Sequence, residues 1–241
     1  MGCFQGTKRM NQVDLNGMKD ESYYVLERLE MKQFLPSSTT AMKILEIGCG
    51  AGNFVHNLNG YLEYWGVEPN PKMAEQAAKK LNKVLVGSFA QIDSQIPECH
   101  FDLVICNDVI EHMADVEIFL ERIKTKLKPD GYLMGSIPNV RFIENILRFL
   151  IQKDWRYTEW GILDKTHLRF FTEKSLKRLF QENGLQAIIF QRINPVRISF
   201  RSVKSFVLNL ILLVSGICLG PDSLYYQFGF RVSKSNSIIH D

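Results

Sequence analysis

The sequence predicts an α/β fold, a seven-stranded, mostly parallel sheet with helices on both faces, and three observations lead there. Seven short apolar runs recur at 43–47, 64–67, 83–86, 101–106, 132–137, 185–191 and 225–232. Helix-period segments separate several of them, the alternation that builds a parallel sheet. The composition suits a packed domain: 241 residues, 46% hydrophobic and 23% charged, need no disulfide or metal staple. The 29 Lys plus Arg against 26 Asp plus Glu leave a net charge of +3, too balanced to argue for a nucleic-acid surface.

Residues 1–19 are polar and aperiodic, a lead-in. Residues 20–35 read as a helix stopped at Pro36. The first strand, 43–47, ends in glycines, and 64–67 is the second. Asn70 then caps a helix with Pro71 at its first position, and Met73, Ala74, Ala77, Ala78 and Leu81 form one apolar face. Strands at 83–86 and 101–106 follow, the latter apolar enough to be central. Val116, Phe119, Leu120, Ile123 and Leu127 mark a helix. Pro129-Asp130-Gly131 turns the chain into the fifth strand. Residues 139–171 read as an irregular, aromatic and basic insertion on the acceptor side of the sheet. Thr172 caps a helix that turns Leu176, Leu179 and Phe180 inward and ends at Gly184.

The last two strands flank an uncharged apolar stretch, read as a helix over 205–219. It falls short of the roughly 20 residues that span a bilayer. Burial on the sheet is the plain expectation. Peripheral contact with the inner membrane face or a partner enzyme is the alternative; Arg192, Arg197, Arg201 and Lys204 just before it suit either anionic lipid or ordinary solvation. The chain thus reads as one domain over 20–233, with a tail at 234–241.

Five cysteines without a CxxC pair suit a reducing, cytoplasmic setting, and no secretory start is evident. Cys99, His100, Cys106 and His112 match no zinc spacing, so no metal is expected.

The chemistry concentrates at Leu45-Glu46-Ile47-Gly48-Cys49-Gly50-Ala51-Gly52. Glycines let a backbone turn sharply and approach a ligand. Glu68 closes the second strand, where a carboxylate can accept hydrogen bonds from both hydroxyls of a ribose. A dinucleotide fingerprint needs G-x-G-x-x-G; here the third glycine comes one residue early and Asn53 takes its place, which argues against a nicotinamide enzyme. Glu46 is a charge within a buried strand, costly without a partner.

This E-x-G-x-G-x-G run resembles motif I of the class I S-adenosylmethionine (SAM)-dependent methyltransferases. Gly66-Val67-Glu68-Pro69-Asn70 resembles their motif II, and Phe101 to His112 the motif-IV region. Leu127-Lys128-Pro129-Asp130-Gly131 with Ser136-Ile137-Pro138-Asn139 resembles the fifth-strand region, and Gly161 to Thr172 is similar to a subgroup associated with cell-surface polysaccharide synthesis. The resemblance implies a Rossmann-like sheet with its last strand antiparallel, SAM as cofactor and S-adenosylhomocysteine as product. It implies that Glu46, Gly48, Cys49, Gly50 and Gly52 line the methionine part, that Glu68 beside Pro69 holds the ribose, and that Ser88 and Phe89 lie near the adenine. Ser88 stands where many relatives carry an acidic residue. Asn107 and Asp108 would border the methyl group, mainly through backbone atoms. Tyr23 and Tyr24 resemble N-terminal aromatics that help close such sites.

Methyl transfer needs alignment of donor and acceptor, and a hydroxyl acceptor needs a base. His167 and His112 are the candidates, His167 facing the expected acceptor entrance. Arg141, Tyr157, Trp160 and Arg169 are the candidate acceptor contacts, because arginines grip anions and aromatics stack on rings. In an extended segment His167 and Arg169 would share a face. The leading expectation is O-methylation of a small-molecule or glycan-like acceptor. A quinone-like phenol, RNA or protein acceptor, and a non-catalytic SAM-binding scaffold docking through its apolar C-terminal helix, are the alternatives; no nucleic-acid partner is expected.

Overall fold

The computed structural model describes residues 27–196, 210, 212, 214 and 216–235. The lead-in at 1–19 lies outside the described residues. Seven strands form one sheet: β1 Lys43–Ile47, β2 Glu63–Glu68, β3 Lys83–Val86, β4 Phe101–Asn107, β5 Leu127–Pro138, β6 Leu185–Pro195 and β7 Tyr225–Lys234. Their order is β3-β2-β1-β4-β5-β7-β6. The pairs among β1 to β5 are parallel, whereas β7 runs antiparallel to both β5 and β6. The expected sheet, with its last strand reversed, is what the chain forms.

The central strands pair where their apolar runs predict because both their faces are buried, while the edge strands β3 and β6 are largely exposed. Leu45 and Ile47 point into one core with Val67, Val104 and Leu133; Ile44 and Tyr64 point into the other with Leu103 and Met134. Helix α1, Pro71–Ala77, starts at Asn70, whose side chain accepts from the Lys72 and Met73 amides. It is shorter than the apolar face to Leu81 suggests. Helix α2, Val116–Lys126, buries Val116, Phe119, Leu120 and Ile123. Leu127 belongs to β5, not to the helix, and the Pro129-Asp130-Gly131 turn is a register shift inside that strand. Thr172 caps α4, Glu173–Glu182, through the Ser175 amide at 3.1 Å.

Three expectations need correction. Of the helix expected over 20–35, the described part is a short 3-10 turn, Leu29–Phe34. Its Phe34 is buried flat against Gly229 of β7, where an added Cβ would fall 2.3 Å from the ring, so tertiary packing sets its geometry. The insertion is not irregular throughout: it contains α3, Ile143–Gln152, ended by Lys153 in the left-handed region. The described residues of 205–219 are helical, but they pack on the insertion rather than on the sheet face: Leu212 joins Phe142, Ile143, Ile162 and Leu163, while Leu210, Val214 and Ile217 face outward. Among the described residues no helix is long and apolar enough to cross a membrane. The last residues of the tail, 236–241, lie outside the description.

Candidate functional site

Strand order reverses between β1 and β4, and open parallel sheets form their ligand crevice at such a point. A pocket of about 520 Å³ opens there, at the C-terminal ends of β1, β2 and β4. Glu46, Gly48, Cys49, Gly50, Glu68, Pro69, Ser88, Phe89, Asn107 and Asp108 all line it. The loop after β1 needs its first glycine: Gly48 sits at φ +70 and a Cβ would come 2.9 Å from a Val109 methyl. Gly52 does not reach the pocket. It turns toward α1, where a Cβ would sit 3.1 Å from the Ala77 Cα, so it serves helix–loop packing.

The two acidic residues differ in what holds them. Glu68 receives the Gly50 amide at 2.8 Å and the Asn70 amide at 2.9 Å, one on each carboxylate oxygen. Each oxygen keeps a further lone pair for a ligand hydroxyl. Burial nevertheless leaves its pKa above the usual range. Glu46 receives the Tyr64 hydroxyl at 2.7 Å, the partner its buried position demands. Burial, helped by the nearby Glu68 charge, pushes it up to about 8 against the opposing pull of Tyr64 and Arg28.

Sequence reasoning missed Arg28, Phe54, Met113 and Thr166, which complete the pocket wall. Arg28 matters most. Its guanidinium donates to Asp108 at 2.5 Å and to the Ser136 hydroxyl at 2.8 Å. Asp108 also accepts from Ser136 at 2.8 Å and from Gln227 at 2.7 Å. Burial alone would raise the Asp108 pKa, but Arg28 and these hydrogen bonds hold it below the usual carboxylate range. Asp108 therefore borders the pocket with its side chain tied down. Asn107 is different: both polar atoms of its amide are buried and have no partner among the described residues.

Phe89 packs edge-on to Phe119, ring centroids 5.1 Å apart, and Ser88 donates to Gln91. Tyr23 and Tyr24 lie outside the described residues.

The histidines sit together, rings 4.7 Å apart, but only His112 lines the pocket. Its Nδ1 donates to the Thr166 carbonyl at 3.0 Å, which leaves Nε2 as the acceptor nitrogen. His167 is buried behind it, Nδ1 on the Ile162 carbonyl at 2.9 Å and Nε2 3.9 Å from Glu111. The expectation that His167 faces the acceptor entrance is thus corrected. Donor atoms of Glu111, His112 and His167 fall within 4.8 Å of one another, a set with the chemistry to hold a divalent cation. Cys99 and Cys106 are apart from it, one exposed and one buried in β4.

The expected acceptor contacts separate. Tyr157 and Trp160 line a second, outer cleft. Arg141 is committed to Asp222 at 2.7 Å and to the Leu219 carbonyl, so it fastens the C-terminal segment. Arg169 reaches the Ala114 carbonyl at 2.6 Å on the surface, while His167 turns inward, so the two do not share a face.

A family model described as a methyltransferase domain matches residues 21–188. The ubiquinone biosynthesis O-methyltransferase of Nitrobacter winogradskyi is 26% identical over 160 residues, covering 60% of this chain and 56% of the relative. The mitochondrial enzyme of the same name from Bos taurus is 30% identical over 172 residues, 65% of this chain and 45% of the relative. The chain spans about half the length of these curated relatives. A solved structure of a SAM-dependent methyltransferase from Archaeoglobus fulgidus superposes with a TM-score of 0.62 at 17% identity, covering 90% of this chain and 95% of that one.

Proposed function

The chain belongs to the methyltransferase-domain family, and from that premise we propose that it transfers a methyl group from SAM to a hydroxyl of a small acceptor. The observation that carries this is Glu68, aimed from the end of β2 into a glycine-lined pocket that also holds Arg28 and an unpartnered Asn107 amide.

The residues present fit the cofactor. Glu68 is suited to the two ribose hydroxyls, Arg28 to the carboxylate and Glu46 to the amino group of the methionine part; the Gly48–Gly50 backbone can approach closely. Phe89 offers an apolar wall for the adenine, and Ser88 a hydroxyl in place of a carboxylate. When bound, SAM would supply an electrophilic methyl carbon for in-line attack by the acceptor oxygen, with the thioether of S-adenosylhomocysteine as the leaving group. The chain's own part is to align the acceptor and exclude water, worth several kcal/mol by positioning alone. We assign the acceptor proton to His112, the histidine on the pocket wall, whose Nδ1 donates to the Thr166 carbonyl. His167 packs edge-on behind the His112 ring, with Glu111 beside His167.

The curated relatives are named for ubiquinone biosynthesis, and this supports a phenol-like hydroxyl as acceptor. A sugar hydroxyl is the second reading, favoured by Tyr157 and Trp160 along the outer cleft. Membrane-surface contact through 205–219 is kept as part of the proposal, on the outward-facing Leu210, Val214 and Ile217.

Calorimetry tests the donor site: wild type binds SAM, and Glu68→Ala weakens binding by ~100-fold, the worth of two hydrogen bonds to a charged group. Wild type without SAM binding refutes the proposal. On a phenol substrate, His112→Asn lowers kcat by ~10²- to 10⁴-fold with SAM affinity kept; unchanged kcat removes His112 as base.

A further inference from the structure

The second cleft, about 710 Å³, lies between α3, the 156–163 segment and Tyr226. Its size is that of a small-molecule site. The two cavities share no lining residue, so they are separate. We propose that the outer cleft binds a phosphorylated sugar, with Arg148 and Arg156 on the phosphate and Trp160 under the ring.

The arginines come first. Arg28, Arg122, Arg141 and Arg192 all hold carboxylates. Arg148 and Arg156 both line the cleft, are exposed, and enter no ion pair among the described residues. Two guanidinium groups on one cleft call for an anion with several oxygens, and planar forks match phosphate.

The ring face comes next. Trp155 is used within the protein, meeting Phe149 and Phe170 edge-on. Trp160 is 62% exposed and makes no ring contact among the described residues. A flat indole beside an anion site suits the C–H face of a sugar.

Hydrogen-bonding groups complete the cleft. Glu144, Gln152 and the Tyr226 hydroxyl line it and carry no side-chain hydrogen bond among the described residues. A flat hydrocarbon ring would leave these groups unmatched; with Glu144 and Glu159 on the cleft beside the arginines, a polyol bearing phosphate offers hydroxyl donors to the carboxylates and an anion to the guanidinium groups. Gly161, at φ +90, lets the backbone pass the Tyr226 hydroxyl, from which a Cβ would lie 3.2 Å away.

The inference stands whichever acceptor is methylated, and its test does not depend on SAM. Glucose 1-phosphate is titrated into the full chain by calorimetry and tryptophan fluorescence, with glucose and inorganic phosphate as separate arms. Saturable binding is expected, at least tenfold tighter than either fragment. Arg148→Gln with Arg156→Gln, and separately Trp160→Ala, each weaken it tenfold or more. SAM titration of the same variants is expected to be unchanged and shows that they are folded; if wild type fails to bind SAM, that failure concerns the donor pocket alone, and the fold is checked by far-ultraviolet circular dichroism. No saturable binding up to about 10 mM, binding that survives the paired arginine substitution, or inorganic phosphate binding as tightly as the sugar phosphate overturns the proposal.

Discussion

Replacing Glu46 by Gln removes a charge from a buried strand and keeps its shape and its acceptor for the Tyr64 hydroxyl. In the folded chain the Glu46 carboxyl is pushed up to about 8 from an ordinary 4.5, chiefly by burial. Folding therefore favours the protonated form. That contribution is fully present below about 4.5, declines through the window between the two values, and is gone above about 8. Each pH unit of difference corresponds to about 1.4 kcal/mol, so the ceiling is ~5 kcal/mol. Relaxation and water entry halve such figures, and ~2–3 kcal/mol is expected. Urea unfolding of wild type and Glu46→Gln without ligand, at pH 5 and pH 9, reads it directly. The variant should be close to wild type at pH 5 and more stable by ~2–3 kcal/mol at pH 9. Glu68 and Cys49 also titrate upward, but they are common to both proteins and largely cancel in the difference. A stability difference that does not change between pH 5 and pH 9 would refute the reasoning.

Gly229→Ala puts a methyl into the Phe34 ring; a loss of ~1–3 kcal/mol in urea unfolding is expected, with weaker SAM binding because Arg28 shifts with the displaced turn. Arg28→Met leaves Asp108 buried without its cation, costing ~3 kcal/mol at neutral pH. Because Asp108 titrates below its usual range, its stabilisation holds at neutral pH and is lost as pH falls through its folded value. The Arg28→Met unfolding curve should therefore be flatter than wild type on the acid side. Leu212→Ser should lower the thermal midpoint, since Leu212 is buried, while Ile217→Ser, at an outward position, should not; equal effects would show that the helix docks by its other face.

The central strands were legible because burial on both faces leaves a short apolar run bounded by turn residues. Asn70-Pro71 and Thr172 announced their helices through capping chemistry that is local by nature. Helix α3 gave no such signal: Phe142 offers no side-chain cap, and the stop is Lys153 in a conformation usually left to glycine. Most of the candidate pocket could be read, since glycines and acids at strand ends have few other reasons to be there. Arg28 could not, because it arrives by the packing of Phe34 on a strand at the far end of the chain. The choice between His112 and His167 was likewise invisible. It rests on two carbonyls, of Thr166 and Ile162, that the folded insertion brings up to the rings.

That distant packing also sets a timetable. Phe34 rests on β7, and its carbonyl meets Arg231, 197 positions further along. At ~5–20 residues per second of synthesis, ~10–40 s separate the two on the ribosome. Through that interval the first five strands can assemble, but the turn carrying Arg28 has no seat on β7 and the candidate pocket has an open side. The nascent chain is thus expected to acquire its sheet before its ligand site, so that SAM can stabilise the finished protein but not rescue a stalled one.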